Sequence, residues 1–206
     1  MEKSFKMNYN YIAPYYDRLS RISFLNRQQK AHELILNYLK PNDKVLWLGG
    51  GSGWFLKDLE GLTINISIDY IELSEVMIQK AKSIPLNHLE VKFYQEDFFQ
   101  FNPKQTYDVI LTAFVFDHFS EEDCQVLFNR YEPFLRKGGK WIQIDFSEDQ
   151  NFFQRFLTKS MVLFFKLVAG IQTKDFPKIN HLFARMQLIE SRTYFMNYIV
   201  SRVYQK

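Results

Sequence analysis

Apolar residues along this chain come in short runs separated by stretches with helical spacing. Five runs are bounded by turn residues, as buried strands are, and cover residues 45–48, 64–71, 89–95, 107–114 and 141–146. The fourth run contains Val109-Ile110-Leu111, an unbroken apolar stretch that is typical of a central parallel strand. Residues 24–40 and 55–59 instead repeat apolar positions with the period of amphipathic helices.

Residues 150–171 carry apolar side chains over most of a helix surface. Lys159 and Lys166 interrupt the stretch, which argues against a membrane span. One interpretation is a crossover helix with a wide apolar face on the sheet. The other is a lid over an apolar substrate, a dimer surface or a face in peripheral contact with a membrane. A second helix is expected over residues 178–186, and the runs 186–194 and 198–204 predict a terminal β-hairpin.

A glycine-rich turn follows the first predicted strand. Gly49, Gly51 and Gly53 have the spacing G-x-G-x-G directly before a predicted helix. Glycines let the backbone approach a ligand closely and helix N-termini attract anionic groups, so this unit predicts a nucleotide-like ligand. A dinucleotide site needs G-x-G-x-x-G, and Trp54 at its last position argues against a pyrophosphate. The alternative is a glycine turn without a ligand.

The stretch from Val45 to Gly53 resembles motif I of the class I S-adenosylmethionine (SAM) dependent methyltransferases. In that family the loop runs under the methionine end of SAM. The resemblance therefore implies that four glycines contact the cofactor: Gly49, Gly50, Gly51 and Gly53. One position departs from the motif, because Trp47 stands where the family usually has an acidic residue that helps hold the amino group of the cofactor.

Residues 72–81 resemble the family pattern D-x-S-x-x-M-x-x-x-A after the second strand. The resemblance implies that Glu72 accepts the ribose hydroxyls of SAM, with Leu73 and Met77 beside the cofactor. Its separation of about 20 residues from the glycine loop agrees with that role, and Ser74 is expected to cap the next helix. Two alternatives are open: Asp69 takes the role if the register differs, or Glu72 is only a solvated acid at a helix start.

Later motifs extend the resemblance. Glu96-Asp97-Phe98 follows the third strand, where the family has an acid for the adenine amine. This implies Asp97 as that acid and Phe98 beside the ring, with an Asx turn as the alternative. Thr112, near the end of the fourth strand, is a further expected cofactor contact. Gly138-Gly139 resembles the family's turn into the fifth strand and is expected to end the preceding helix.

Candidate catalytic residues follow the fourth strand, on the methyl side of SAM in that family. Asp117 and His118 are each a candidate general base, which is needed if the acceptor arrives protonated. A packed or capping histidine is the alternative for His118. Residues 12–17, I-A-P-x-Y-D, look like the N-terminal signature of ubiquinone/menaquinone-type methyltransferases. This implies that Tyr16 contacts SAM or substrate, unless its ring only packs on the sheet.

The amino-acid composition limits the classes of binding partner and the cellular compartment. The 206 residues are 47% hydrophobic and 24% charged, which is typical of one globular domain, and the net charge of +3 is too small to indicate nucleic acid. The single cysteine, Cys124, fits a reducing compartment, and no signal peptide is expected, so we expect a cytoplasmic protein. Three further histidines lie on separate predicted elements and suggest no metal site: His32, His88 and His181.

The resemblance implies a Rossmann-like α/β fold with a seven-stranded, mostly parallel sheet whose last strand is antiparallel. We expect one domain over residues 1–206, with an N-terminal helical cap (1–40), a SAM-binding core (41–146) and helices followed by the β-hairpin (147–206). The expected activity is SAM-dependent methylation of a small apolar or aromatic molecule. The alternatives are a non-catalytic protein that binds SAM or a partner with the same fold, and an NAD-dependent oxidoreductase.

Overall fold

The computed structural model describes residues 27–148, 152, 154, 155, 158, 159 and 176–206. Its strands are β1 Lys44–Leu48, β2 Ile66–Glu72, β3 Leu89–Gln95, β4 Tyr107–Ala113, β5 Leu135–Phe146, β6 Gln187–Tyr194 and β7 Ile199–Gln205. They form one sheet in the order β3-β2-β1-β4-β5-β7-β6. The pairs among the first five strands are parallel, and β7 is antiparallel to both of its neighbours. The predicted α/β fold and terminal hairpin are confirmed.

The described helices are α1 Arg27–Leu36, α2 Leu56–Glu60, α3 Glu75–Lys82 and α4 Glu121–Tyr131. Single 3₁₀ turns cover Phe116–His118, Glu132–Phe134 and Asn180–Phe183. Ser74 caps α3 because its hydroxyl accepts the amide N–H of Met77, and Ser120 caps α4 by accepting that of Asp123. The cap at Ser74 was predicted from its position before a helical run.

The sheet lies between two apolar layers, because neighbouring residues of a strand point to opposite faces. Trp47 packs in the layer that includes α1, together with Ala31 and Leu34. Leu46, the residue before it, packs in the layer that includes α4. Helix α1 is fixed on the C-terminal hairpin, since the Ser201 hydroxyl of β7 donates to the carbonyl of Ala31 at 2.8 Å. This hydrogen bond fixes α1 against β7.

The start of β5 differs from the sequence prediction. Helix α4 ends at Tyr131, not at Gly138-Gly139, and β5 begins at Leu135. Pro133 explains the early end of the helix, because it has no amide N–H to continue the helical ladder. The glycines instead lie within β5 at a break in its register with β4, where Gly138 adopts a φ of +76°.

The predicted helix over residues 178–186 is only the 3₁₀ turn Asn180–Phe183. The Glu148 carboxylate accepts the amide N–H groups of Ile179 and Asn180 and fixes a short turn there. Helix α1 also ends before the predicted residue 40, because the chain tightens into i→i+3 bonds at Asn37 and Tyr38.

The two interpretations of residues 150–171 stay untested, since most of that stretch lies outside the described residues, as does the segment that contains Tyr16. Within the described part of the chain, no helix has the length and apolar character that a bilayer crossing needs.

Candidate functional site

A cleft opens at the carboxyl edge of the sheet, where β1 and β4 are neighbours. The chain passes from β1 to β2 and β3 on one side and then returns to β4 on the other, so the connecting segments diverge at this point. Such a switch point leaves a crevice that binds ligands in open α/β sheets. The cleft encloses ≈ 1190 Å³ with its open mouth, and residues that follow β1, β2, β3 and β4 all line it.

The glycine loop forms the floor of the cleft. Gly49 and Gly51 have φ of +67° and +66°, a region that side-chain-bearing residues rarely adopt. A Cβ atom on Gly50 would overlap the ring of Tyr70, whose hydroxyl donates to the carbonyl of Gly51 at 3.0 Å. The loop therefore needs glycine at these positions to lie flat over Tyr70, and its backbone is left exposed to the cleft.

Glu72 ends β2 and turns its carboxylate into the cleft. Oε2 accepts the amide N–H of Gly51 at 2.9 Å, and Oε1 accepts that of Ser74 at 2.8 Å. Burial raises the pKa of Glu72, although these amides act to lower it. Asp69, the alternative residue for the ribose hydroxyls, does not line the cleft. Its carboxylate accepts hydrogen bonds from Tyr107 and Gln105 instead.

Asp97 and Phe98 follow β3 and line the other end of the cleft. Asp97 Oδ1 accepts the amide N–H of Phe99 at 2.8 Å, so the Asx turn that the sequence left open is present. Its other oxygen accepts no hydrogen bond from the described residues and remains able to bind a ligand. The Phe98 ring packs edge-on against Phe119 at 5.6 Å, which fixes a flat apolar surface beside the carboxylate.

Comparisons with known proteins agree with this architecture. A family model described as a methyltransferase domain matches residues 45–139, from β1 into the start of β5. Residues 45–139 therefore match a methyltransferase domain, which supports the assignment to the class I SAM-dependent methyltransferases.

Similar proteins support the same assignment. An uncharacterized methyltransferase of Anoxybacillus flavithermus is 32% identical over 117 residues, which cover 55% of this chain and 53% of that protein. A malonyl-[acyl-carrier protein] O-methyltransferase of Ilyobacter polytropus is 26% identical over 139 residues, covering 68% of this chain and 50% of that protein. The chain thus matches about half the length of these curated relatives.

A solved structure described as a DhpI–SAM–HEP complex shares the fold with a TM-score of 0.71 at 15% identity, over all of both chains. The sequence-based assignment to the class I methyltransferases, and its cofactor SAM, are confirmed.

The polar groups that line the cleft are chemically suited to bind SAM. It offers a bare backbone loop, a fixed carboxylate at Glu72 and a second carboxylate with an open oxygen at Asp97. Carboxylates of this kind accept hydroxyl and amine hydrogens strongly. The one departure is Trp47, a buried indole that lines the cleft and packs on Tyr70 and Phe55. Strand β1 therefore presents no carboxylate to an amino group.

Eight of the residues expected at the cofactor line the cleft together: Gly49, Gly50, Gly51, Glu72, Leu73, Met77, Asp97 and Phe98. Gly53 and Thr112 do not line it. Gly53 lets α2 and α3 approach, because a Cβ there would lie 2.7 Å from that of Ala81. Thr112 is fully buried, and its hydroxyl accepts the indole N–H of Trp141 at 3.0 Å. Tyr16 lies outside the described residues.

Of the two candidate catalytic residues, His118 lines the cleft and Asp117 lies behind it. Burial lowers the pKa of His118 to about 4, against the raising effects of the Glu72 carboxylate and of a hydrogen bond to the backbone of Phe114. The ring is therefore neutral near pH 7. Asp117 Oδ1 is 3.7 Å from His118 Nε2, too long for a hydrogen bond, and this oxygen has no hydrogen-bond partner among the described residues.

A second histidine lines the same cleft. His32 of α1 contacts the rings of Trp54 and Phe55, with centroid distances of 4.8 and 5.1 Å. Its Nδ1 donates to the carbonyl of Gln28 at 2.8 Å, and burial lowers its pKa to about 4. In that tautomer Nε2 carries the lone pair. No local sequence pattern places His32 here, because only the packing of α1 against the sheet brings it to the glycine loop.

Proposed function

We propose that this chain transfers the methyl group of SAM to a small-molecule acceptor in the cleft. The observation that carries the proposal is the carboxylate of Glu72, held by the amides of Gly51 and Ser74 in a cleft at the switch point of the sheet. A nearly buried carboxylate is costly unless it has strong partners, and a ligand with two adjacent hydroxyls supplies them.

The proposed cofactor contacts follow the order of the strands. The backbone of Gly49, Gly50 and Gly51 supports the methionine end, and Glu72 binds the ribose hydroxyls. Asp97 accepts the adenine amine beside the ring of Phe98. Leu73, just before α3, and Met77, on α3, add apolar contacts.

The part of the cleft away from Asp97 and Phe98, which we assign to the acceptor, is aromatic. Trp54, Phe55 and Phe114 line the cleft together with the two histidines. Apolar and aromatic walls of this kind bind a flat or apolar molecule by removing its surface from water. We therefore assign the acceptor to small apolar or aromatic molecules.

SAM supplies a methyl group on a positively charged sulfur. The protein has to hold the acceptor in line with it, and such positioning alone accounts for several powers of ten in rate. An acceptor that arrives protonated also needs a base, and His118 is our candidate because it is neutral and faces the cleft. Asp117 lies behind the cleft, 3.7 Å from His118 Nε2 and without a hydrogen bond to it, so we do not propose it as the base. His32 is the rival base, because it also lines the cleft and burial lowers its pKa to about 4.

The division of labour along the chain is also a proposal. Residues 41–146 hold the cofactor, residues 1–40 form a cap that closes over it with Tyr16, and residues 147–206 complete the acceptor side. Helix α1, which places Gln28 and His32 in the cleft, supports a cap role for the N-terminal part. A cytoplasmic location is inferred from the single buried cysteine, Cys124, which favours a reducing compartment.

The direct test is calorimetry with S-adenosylhomocysteine (SAH), the product of the reaction, with NAD as the control ligand. Saturable SAH binding without NAD binding supports the proposal, and NAD binding alone contradicts it. Turnover is then measured as SAH release on a panel of phenols, quinols and aromatic amines. His118→Ala is expected to lower turnover more than SAH affinity, whereas His32→Ala does so if His32 is the base.

A second candidate function is non-catalytic binding of SAM or of a partner by the same fold. Trp47 favours it, because the cleft lacks the acid that the family uses for the amino group of the cofactor. SAH binding without SAH release from any acceptor in the panel would support this alternative.

A further inference from the structure

A second concave surface lies next to the cleft, at the carboxyl end of β5. We call it the anion groove, and it is lined by Ser147, Glu148, Arg155, Thr158, Lys159, Phe176 and Lys178. It encloses ≈ 800 Å³ with its open side. None of these residues lines the cofactor cleft, so the groove is a separate site.

The groove carries an excess of positive charge. Arg155, Lys159 and Lys178 are exposed, and none of the three makes an ion pair within the described residues. The one acid, Glu148, is already engaged, since its Oε1 accepts the amides of Ile179 and Asn180 at 2.7 and 2.8 Å. Three cations thus face one acid that is fixed by backbone contacts.

The charged side chains of the groove suit an anion. The Arg155 guanidinium offers two parallel N–H groups, and lysine ammonium groups add point charges. The Thr158 hydroxyl is already paired with that of Tyr198 at 2.8 Å, so the cations carry the recognition. This combination matches a carboxylate or phosphate group better than it matches a neutral ligand.

An aromatic wall connects the groove to the cleft. Phe114, which lines the cleft, packs against Phe146 at 5.3 Å, and Phe146 stacks on Phe176 at 4.5 Å with an interplanar angle of 9°. Phe176 lines the groove. One ring therefore separates the two sites, and β4 and β5, which end beside them, are adjacent parallel strands. The two sites are therefore neighbours, with the buried Phe146 ring between them.

We propose that the anion groove binds an acidic group of the methyl acceptor, a carboxylate or a phosphate, while the apolar body of that acceptor lies along the aromatic wall. This inference rests on the proposed function and deepens it, because it assigns the acceptor to aromatic or apolar acids. The neutral acceptors of the same shape then bind more weakly. Since the cations are exposed, the preference falls as salt screens them.

The test uses three probes with the same ring size: phenyl phosphate, phenylacetate and benzyl alcohol. Each is titrated by calorimetry into the SAH-saturated protein at low ionic strength. Both acids are expected to bind at least about tenfold more tightly than the alcohol, the scale of one charge-assisted hydrogen bond. The stronger of the two acids identifies the anionic group as a phosphate or a carboxylate.

Matched variants locate the binding. Arg155→Gln with Lys159→Gln is expected to remove the preference for the acids and to leave SAH affinity unchanged. Lys104→Gln with Lys137→Gln removes two charges from exposed positions at the opposite edge of the sheet and is expected to change neither. Benzyl alcohol binding as tightly as the acids, or equal losses in both double variants, would overturn the inference. Failure of SAH to bind the unaltered protein would instead contradict the proposed function.

Discussion

The Glu72 carboxylate accepts the amide N–H of Gly51 at 2.9 Å, and this bond joins the end of β2 to the glycine loop after β1. The same carboxylate accepts the amide of Ser74 through its other oxygen. The two amides hold the side chain in one orientation before any ligand arrives. Preorganisation of this kind reduces the entropy that binding costs.

Glu72→Gln is expected to weaken SAH binding by about ten- to a hundredfold, because a neutral amide loses charge-assisted bonds to the ligand and places an NH₂ group near the Gly51 amide. Calorimetry with SAH measures the change. The matched control is Glu75→Gln, an exposed acid in the first turn of α3, for which affinity should stay constant. Equal affinities for both variants would remove Glu72 from the cofactor site.

Two neighbouring glycines are expected to respond differently to alanine. Gly50→Ala places a methyl group into the Tyr70 ring and should lower the free energy of unfolding by about 3 kcal/mol or displace the loop. Gly51→Ala meets no atom within 4 Å and has only its φ of +66° against it, so a cost of about 1 kcal/mol is expected. Urea unfolding compares them, and a larger loss for Gly51→Ala would contradict the loop geometry.

The sequence predicted the parts of the fold that depend on local pattern. The resemblance to methyltransferase motifs placed Glu72 and Asp97 at strand ends, and for Glu72 the separation of about 20 residues from the glycine loop agreed with it. The prediction for β5 failed because it took Gly138-Gly139 as a helix end, whereas Pro133 already ends α4. A proline inside the predicted helix was the signal that would have corrected it.

The positions of the other site residues depend on tertiary packing, which a local sequence pattern does not predict. His32 shows the usual spacing of an amphipathic helix, and nothing in its neighbours marks it as a cleft residue. Thr112 sits at the right strand end, but the side chains of a strand alternate between faces, and its hydroxyl meets Trp141 on the far side. Sequence spacing predicts that a residue lies near the carboxyl end of a strand. The side of the sheet to which its side chain points is known only from the observed register.

Asp117→Asn is expected to stabilise the protein more at pH 8 than at pH 5. Burial raises the pKa of Asp117 from its ordinary value to about 7, beside the buried carboxyl of Asp145, whose pKa is also raised. A carboxyl with a raised folded-state pKa stabilises the fold while it is protonated, and this contribution is lost as the pH rises through about 7.

The stability of the unaltered protein falls between the unfolded pKa of 3.8 and the folded value of about 7. The asparagine at position 117 stays neutral throughout, so its gain is expected to be larger at pH 8 than at pH 5 by roughly 2–3 kcal/mol. Urea unfolding at the two pH values measures it. A gain that does not depend on pH would mean that Asp117 does not titrate between them.

His32→Phe is expected to make the protein more resistant to acid. Burial lowers the pKa of His32 from 6.5 to about 4, so its neutral form contributes stability that is fully present above pH 6.5 and lost as the pH falls towards 4. Phenylalanine keeps a ring between Trp54 and Phe55 and cannot take up a proton, although it gives up the bond to the Gln28 carbonyl.

Relative to the unaltered protein, the phenylalanine variant should therefore gain roughly 2–3 kcal/mol between pH 7.5 and pH 4.5. Unfolding by urea at both pH values measures this difference. His88→Phe is the control, because His88 is exposed and its substitution should leave the pH dependence unchanged. The same acid sensitivity in the His32 variant and in the unaltered protein would show that the imidazole is not buried in its neutral form against the glycine loop.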